Sequence, residues 1–169
     1  MWDNQTNGLL GYWLDAIGQT MSAVANTPFA FKDRNVPPRL ELWGNVLQAT
    51  GSALVADNEE EFSFDKLGNQ LESIGNLMTI MGILAPVNDE VKNVLDKRGD
   101  LIETLGVCVS IPEEFKEGFT LELFFDIYGY SLQVIKIKGV DEELVDMIAE
   151  WSQAIASILS LIRVMQLEK

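Results

Sequence analysis

An eight-residue unit with glycine at both ends recurs along the chain, and its apolar and polar positions follow the period of an α-helix. The four clearest copies are Gly11–Gly18, Gly44–Gly51, Gly68–Gly75 and Gly99–Gly106. Two weaker copies begin at Gly129, which lacks the second glycine, and at Ala149, which carries alanine at both ends. Repetition of this kind indicates one supersecondary element that is used several times.

Each copy predicts one helix, so we expect an all-α fold: a single domain over residues 1–169, arranged as an antiparallel bundle of about six helices. Prolines in 26–38 predict a loop there, because proline interrupts a helix. Segment 119–125 is rich in aromatic residues, which suit a strand as well as a helix, and the pattern leaves both open. The predicted helices cover residues 7–25, 39–56, 63–84, 88–109, 113–138 and 141 to the end.

The glycines of the unit lie seven residues apart, nearly two helical turns, so they share one face of each helix. A glycine inside a helix costs about 1 kcal/mol relative to alanine, and close approach of two backbones is the usual reason to keep it. We therefore expect these residues to form helix-packing faces, within one chain or between chains. They are Gly11, Gly18, Gly44, Gly51, Gly68, Gly75, Gly82, Gly99, Gly106 and Gly129.

A polar residue occupies the fourth position after the first small residue in all six copies, beside the glycine face. If that face is buried, these side chains need hydrogen-bond partners, and bonds between helices would fix the order of the helices. A second interpretation is a site for a hard cation such as Ca²⁺, formed by Asp15, Glu72 and Glu103. The six residues are Asp15, Gln48, Glu72, Glu103, Gln133 and Gln153.

The net charge of −14 argues against a nucleic-acid partner and against electrostatic docking on anionic lipid, since both need clustered lysine and arginine. We expect the acidic residues to coat the surface and keep an apolar helical protein in solution. The tryptophans beside the repeats, Trp13, Trp43 and Trp151, are expected to fill the core. Cys108 lies in an apolar run and is expected to be a buried, inert thiol.

The sequence lacks features that are typical of enzyme active sites, because the chain has no histidine and no glycine-rich phosphate-binding loop. We therefore expect no enzyme activity, no catalytic residues, no cofactor and no redox metal. The longest apolar stretch, 74–87, is shorter than the roughly 20 residues that a membrane span requires. No basic residue precedes Lys32, unlike in a secretory leader, so we expect a cytoplasmic protein, with packaging into a larger cellular or spore-associated structure as the alternative.

From residue 10 to about residue 158, the Gly-Asn-x-Leu-Gln/Glu-x-x-Gly units and the tryptophans beside them resemble repetitive helical proteins of unknown function from spore-forming Gram-positive bacteria. The resemblance implies no catalytic activity and supplies no active-site residues. The leading hypothesis is a non-enzymatic structural protein that associates with itself through glycine-lined helix faces. The alternatives are a membrane-active protein that inserts helical hairpins into lipid, and a carboxylate-lined module that binds cations.

Overall fold

The computed structural model describes residues 4–28, 30–33, 35–134 and 141–167. These residues form six α-helices and no strand, which confirms the predicted all-α bundle. The predicted end of the fifth helix, 135–138, and the closing Gly139 lie outside the described residues. The helices are α1 (Asn4–Ala25), α2 (Val36–Asn58), α3 (Phe64–Leu84), α4 (Asp89–Glu114), α5 (Leu121–Val134) and α6 (Glu142–Leu167).

Helix boundaries differ from the prediction where proline is involved. α2 begins at Val36 with its prolines in the first turn, where a missing N–H leaves no helical hydrogen bond unmade. The predicted break at residue 110 is also wrong, because α4 continues through Pro112 to Glu114. Pro112 removes one hydrogen bond from the last turn, and the Phe115 N–H still donates to the carbonyl oxygen of Ile111.

Polar side chains cap the first turns of α4 and α5. Asn88 accepts a hydrogen bond from the Val91 N–H at 2.9 Å, which confirms it as the N-cap of α4. Segment 119–125, for which the sequence left strand and helix open, is helical from Leu121. The Thr120 hydroxyl accepts a hydrogen bond from the Leu123 N–H at 3.1 Å. The preceding turn ends at Gly118, whose φ of 98° lies in the left-handed region that glycine favours.

The helices close into a ring. Among the described residues, each helix packs against the next one along the chain, and α6 packs against α1. Successive helices are antiparallel because the connections between them are short. The ring encloses a central space, which we call the lumen, and this space is lined by side chains from all six helices.

Candidate functional site

The lumen contains two cavities, one toward each end of the ring. The larger cavity has a volume of about 320 Å³, and the smaller cavity has a volume of about 130 Å³. Both are lined mostly by polar side chains, whereas the buried apolar residues of the described chain are mostly alanines. The interior of this bundle is therefore polar, in contrast to the apolar core of an ordinary helical domain.

The larger cavity is strongly acidic. Among the described residues that line it, Lys97 is the cationic one, and amide side chains lie among the carboxylates. The Gln133 Nε2 donates to the Glu150 Oε1 at 3.2 Å, and the Gln48 Nε2 donates to the Ser22 hydroxyl at 2.8 Å. The lining carboxylates are Glu41, Asp96, Asp100, Glu103, Glu142, Asp146 and Glu150.

Burial in the larger cavity raises the pKa of several of these carboxyl groups. Desolvation, together with the negative charges of Asp100 and other neighbours, raises the pKa of Glu150 to about 8. Desolvation and nearby carboxylates likewise raise the pKa of Glu41 to about 7 and that of Asp100 to about 7. The same causes raise the pKa of Glu103 well above its usual value. A positive charge bound in this cavity would stabilise the ionised form of these groups.

The smaller cavity holds a second group of carboxylates, and one of them forms an ion pair with an arginine. The Arg163 Nη2 donates to the Glu122 Oε1 at 3.1 Å, and only 10% of the Glu122 side chain is exposed. Desolvation raises the pKa of Asp15 to about 6, against a smaller opposing effect of its hydrogen bond with Ser157. Desolvation and neighbouring carboxylates raise the pKa values of Glu72 and Asp126 well above their usual range.

All six polar residues that the repeat places beside its glycines line the lumen. Asp15 and Glu72 line the smaller cavity, whereas Glu103 lines the larger one, so the three residues of the hypothetical Ca²⁺ site are divided between two cavities. Gln48, Gln133 and Gln153 also line the larger cavity. Within the described part of the chain, no group of three or more acidic or cysteine residues is placed to hold a metal ion.

The sequence analysis missed a second set of lumen residues, those directly after the first small residue of each copy. This position is polar or tyrosine in every copy, a signal visible in the sequence. About one helical turn separates this position from the polar fourth position described above, so the two positions share a helix face. The six residues are Tyr12, Asn45, Asn69, Asp100, Tyr130 and Glu150, and all of them line one of the two cavities.

The glycines lie where the two helices of each hairpin touch. A Cβ atom on Gly75 would lie 2.7 Å from the Gly99 carbonyl oxygen, and one on Gly106 would lie 2.7 Å from that of Gly68. Gly11 and Gly51 face each other in the same way between α1 and α2, as do Gly18 and Gly44. Gly129 of α5 packs against Ala149 and Gln153 of α6, and Gly82 lies more loosely against Lys92.

The outer surface of the ring carries many large apolar side chains, which corrects three expectations. The tryptophans do not fill the core, since Trp13, Trp43 and Trp151 are exposed and 60% of Trp43 is accessible. Acidic residues coat the surface only in part: Glu60 and Glu143 are exposed, whereas others, such as Glu103, line the lumen. Cys108 is exposed rather than buried. The common cause is that polar residues occupy the inward face of each helix, which turns the large apolar side chains outward.

One described helix, α6, is long and apolar enough to cross a bilayer by length and composition. A helix in the core of a soluble protein can pass the same test, but only a third of this apolar stretch is buried. This observation is weak evidence for a membrane role, and it identifies α6 as a prominent part of the apolar outer surface.

A family model described as "Family of unknown function (DUF6944)" matches residues 6–161. Because the match spans most of the chain and all six helices, the chain belongs to that family. No curated protein and no solved structure matches the chain.

Proposed function

We propose that this member of the DUF6944 family is a non-enzymatic structural protein whose helical rings associate side by side with further copies of the chain. One observation carries the proposal: large apolar side chains project outward from every one of the six helices. Monomeric soluble proteins rarely leave extensive apolar patches uncovered, and larger ones usually mark an interaction surface. The proposed association would cover these outer faces.

On several helices the outward residues repeat at helical spacing and form an apolar stripe. The stripe on α6 has the most exposed apolar residues, and α3 carries a shorter one. They consist of Ile74, Leu77, Met81 and Leu84 on α3, and of Ile148, Trp151, Ile155, Ile158, Ile162 and Met165 on α6.

The distribution of charge also favours lateral association. Many carboxylates line the lumen, and another group lies in the connections between helices, as in the acidic turn 57–61. The stripes on α3 and α6 consist of uncharged side chains, so two copies could bring them together while most of the net charge of −14 stays in water or in the lumen.

The glycine faces enter this proposal in a different way from the one expected from the sequence. Their backbones are covered by the partner helix of the same hairpin, as the contacts of Gly18 with Gly44 illustrate. They would therefore act by holding each ring together, while the outward apolar faces join one ring to another. We place the resulting assembly in the cytoplasm, packaged into a larger cellular or spore-associated structure, in keeping with the resemblance to repetitive proteins of spore-forming bacteria.

The experiment is light scattering on a size-exclusion column over a series of protein concentrations. We expect masses that are multiples of 18.8 kDa and that rise with concentration. Exchanging Ile74 and Ile155 for glutamine should weaken association, because the change places polar groups in both stripes. The matched control is Val87→Gln, an equally polar change at an exposed site outside the helices.

A strict monomer at every concentration would overturn the proposal. The membrane alternative is separated from it by flotation with neutral phosphatidylcholine vesicles. If the chain floats with vesicles and becomes monomeric in mild detergent, the outer faces are covered by lipid rather than by other copies.

A further inference from the structure

The larger cavity contains a buried hydrogen-bond donor that has no partner among the residues the structure describes. Gln153 is only 2% exposed and lines this cavity, and within that part of the chain its Nε2 group has no hydrogen-bond acceptor. Gly129 makes room for this side chain, because a Cβ atom there would lie 2.8 Å from the Gln153 Cγ. A buried donor without a partner costs free energy, so such a group in a polar cavity points to an acceptor supplied from outside the chain.

A hydrogen-bond acceptor without a partner lies on the neighbouring helix. The Gln133 Oε1 is buried and unpartnered, although its Nε2 donates to the Glu150 Oε1 at 3.2 Å. Gln133, Gln153 and Glu150 all line the larger cavity. The cavity thus offers a free donor, a free acceptor and several carboxylates within one space.

We infer that the larger cavity binds a small hydroxylated organic cation of the amino alcohol or amino sugar class. The ammonium group would donate its three N–H groups to the carboxylates of Asp100 and Glu150 and to the Gln133 Oε1, and its positive charge would stabilise the ionised form of both carboxyl groups. A hydroxyl group would accept the hydrogen bond from the Gln153 Nε2 and donate to a carboxylate in return. Such a ligand satisfies both unpartnered groups and neutralises part of the negative charge.

Other ligand classes fit less well. Among the described lining residues, carboxylates such as Glu41, Asp100 and Glu150 outnumber the cationic side chains, so an anion would be repelled. A metal ion needs ligands converging on one point, and no such group exists within the described residues. A purely aliphatic diamine could bind the carboxylates, but it has no acceptor for Gln153. The volume of about 320 Å³ suits a ligand of monosaccharide size.

Water is the competitor that any ligand must displace. A polar cavity of this size fills with water, which can satisfy Gln133 and Gln153 in the free protein. An amino sugar gains over water because its ammonium group forms charge-assisted hydrogen bonds with carboxylates, and such bonds are stronger than neutral ones.

The test is titration calorimetry of the intact chain with glucosamine, with glucose and cyclohexylamine as comparison ligands. Glucose has the hydroxyl groups without the charge, and cyclohexylamine has the single positive charge on a six-membered ring without the hydroxyl groups. We expect glucosamine to bind at least about tenfold more tightly than either comparison ligand, because each lacks one set of charge-assisted or neutral hydrogen bonds.

Two substitutions locate the site. Glu150→Gln should weaken glucosamine binding about tenfold, whereas Glu143→Gln, the same change on an exposed residue outside the cavity, should leave it unchanged. Gln153→Met keeps the shape of the side chain and removes the free donor, so it should weaken glucosamine binding without changing cyclohexylamine binding. Thermal melting of the free Gln153→Met protein checks that it folds.

The inference is overturned if glucosamine does not bind, if the three ligands bind equally, or if Glu150→Gln and Glu143→Gln weaken binding to the same extent. The last result would mean that binding follows the overall charge rather than the cavity. Because each cavity lies inside one ring, binding measured in dilute protein does not depend on association between copies. Failure of either proposal therefore leaves the other standing.

Discussion

Gly18 of α1 and Gly44 of α2 face each other across the first hairpin at backbone contact. A Cβ atom on Gly18 would lie 2.7 Å from the Gly44 carbonyl oxygen, and a Cβ atom on Gly44 would lie 3.0 Å from the Gly18 carbonyl oxygen. Neither distance leaves room for a methyl group, and the opposing atoms belong to helix backbones that cannot rotate away. The close approach of α1 and α2 thus depends on the absence of side chains at this pair.

Replacing Gly18 with alanine should therefore destabilise the protein, even though alanine is the better helix former. We expect Gly18→Ala to lower the free energy of unfolding by about 1–3 kcal/mol, since overpacking outweighs the roughly 1 kcal/mol gained in helix propensity. Urea unfolding followed by circular dichroism measures the change.

Gly82→Ala is the control for this substitution. A Cβ atom on Gly82 would lie 3.3 Å from the Lys92 carbonyl oxygen and 3.4 Å from the Leu95 Cβ, so only a small shift is needed. Its stability should change by less than about 1 kcal/mol, because the helix-propensity gain opposes the mild crowding. Equal losses of stability in the two variants would show that close backbone contact does not explain the regular spacing of glycines within this chain.

Much of the fold could be predicted from the repeat because it encodes local geometry. Spacing of seven residues fixes a shared helix face, and short connections make neighbours antiparallel, as the pairing of Gly75 with Gly99 shows. Closure of the ring could not be predicted, because contact between α1 and α6 depends on the angles at every hairpin. The continuation of α4 through Pro112 was missed because proline is tolerated near a helix end.

The polar lumen could be predicted only in part. The repeat correctly singled out residues such as Gln48 and Glu103 as a set, but periodicity alone does not say which stripe of an amphipathic helix faces inward. We assumed an apolar interior, the usual arrangement, and therefore placed Trp43 inside and the acidic residues outside. The polar residue that directly follows the first small residue in most copies was a usable sign of the inward stripe.

The ion pair between Arg163 and Glu122 should stabilise the wall of the smaller cavity. Exchanging Arg163 for methionine leaves the Glu122 carboxylate nearly buried without its 3.1 Å partner. We expect a loss of about 1–3 kcal/mol, less than for a fully buried pair because the Arg163 side chain is partly exposed. Thermal and urea unfolding at neutral pH provide the measurement.

The matched control is Lys116→Met, which breaks an ion pair with Glu113 at 3.8 Å. The Lys116 side chain is 73% exposed, so this loss should stay below about 0.5 kcal/mol. If both variants lose the same stability, the position of Arg163 in the cavity wall has no special energetic role.

Cys108 offers a direct probe of the outer face of α4, because it is exposed and follows the outward residues Leu101 and Leu105 at helical spacing. We expect one thiol per chain to react with a water-soluble reagent without denaturant. If copies pack against this face, the rate should fall as the protein concentration rises. The control is Glu61→Cys in a Cys108→Ser background. Position 61 lies in an exposed turn, so the rate at which its thiol reacts should not change with protein concentration.

The buried carboxylates of the lumen should make the protein more stable in mild acid than in mild base. Burial raises the pKa of Glu150 from 4.5 to about 8, so between these values the folded chain holds a proton that the unfolded chain releases. The free energy of unfolding must then fall as the pH rises through this window. Asp15, with a pKa of about 6, and Asp100, with a pKa of about 7, act in the same direction. We expect Tm in dilute protein to be highest near pH 5, about the lower end of this window, and to decrease toward pH 8.

Glu150→Gln removes one of the ionising groups and should flatten the decrease in Tm above about pH 6. Glu143→Gln should show the same dependence of Tm on pH as the unmodified protein. A Tm that rises with pH across the same range would mean that these carboxyl groups are hydrated and ionised in the folded chain, and the lumen would then be open to water along its length.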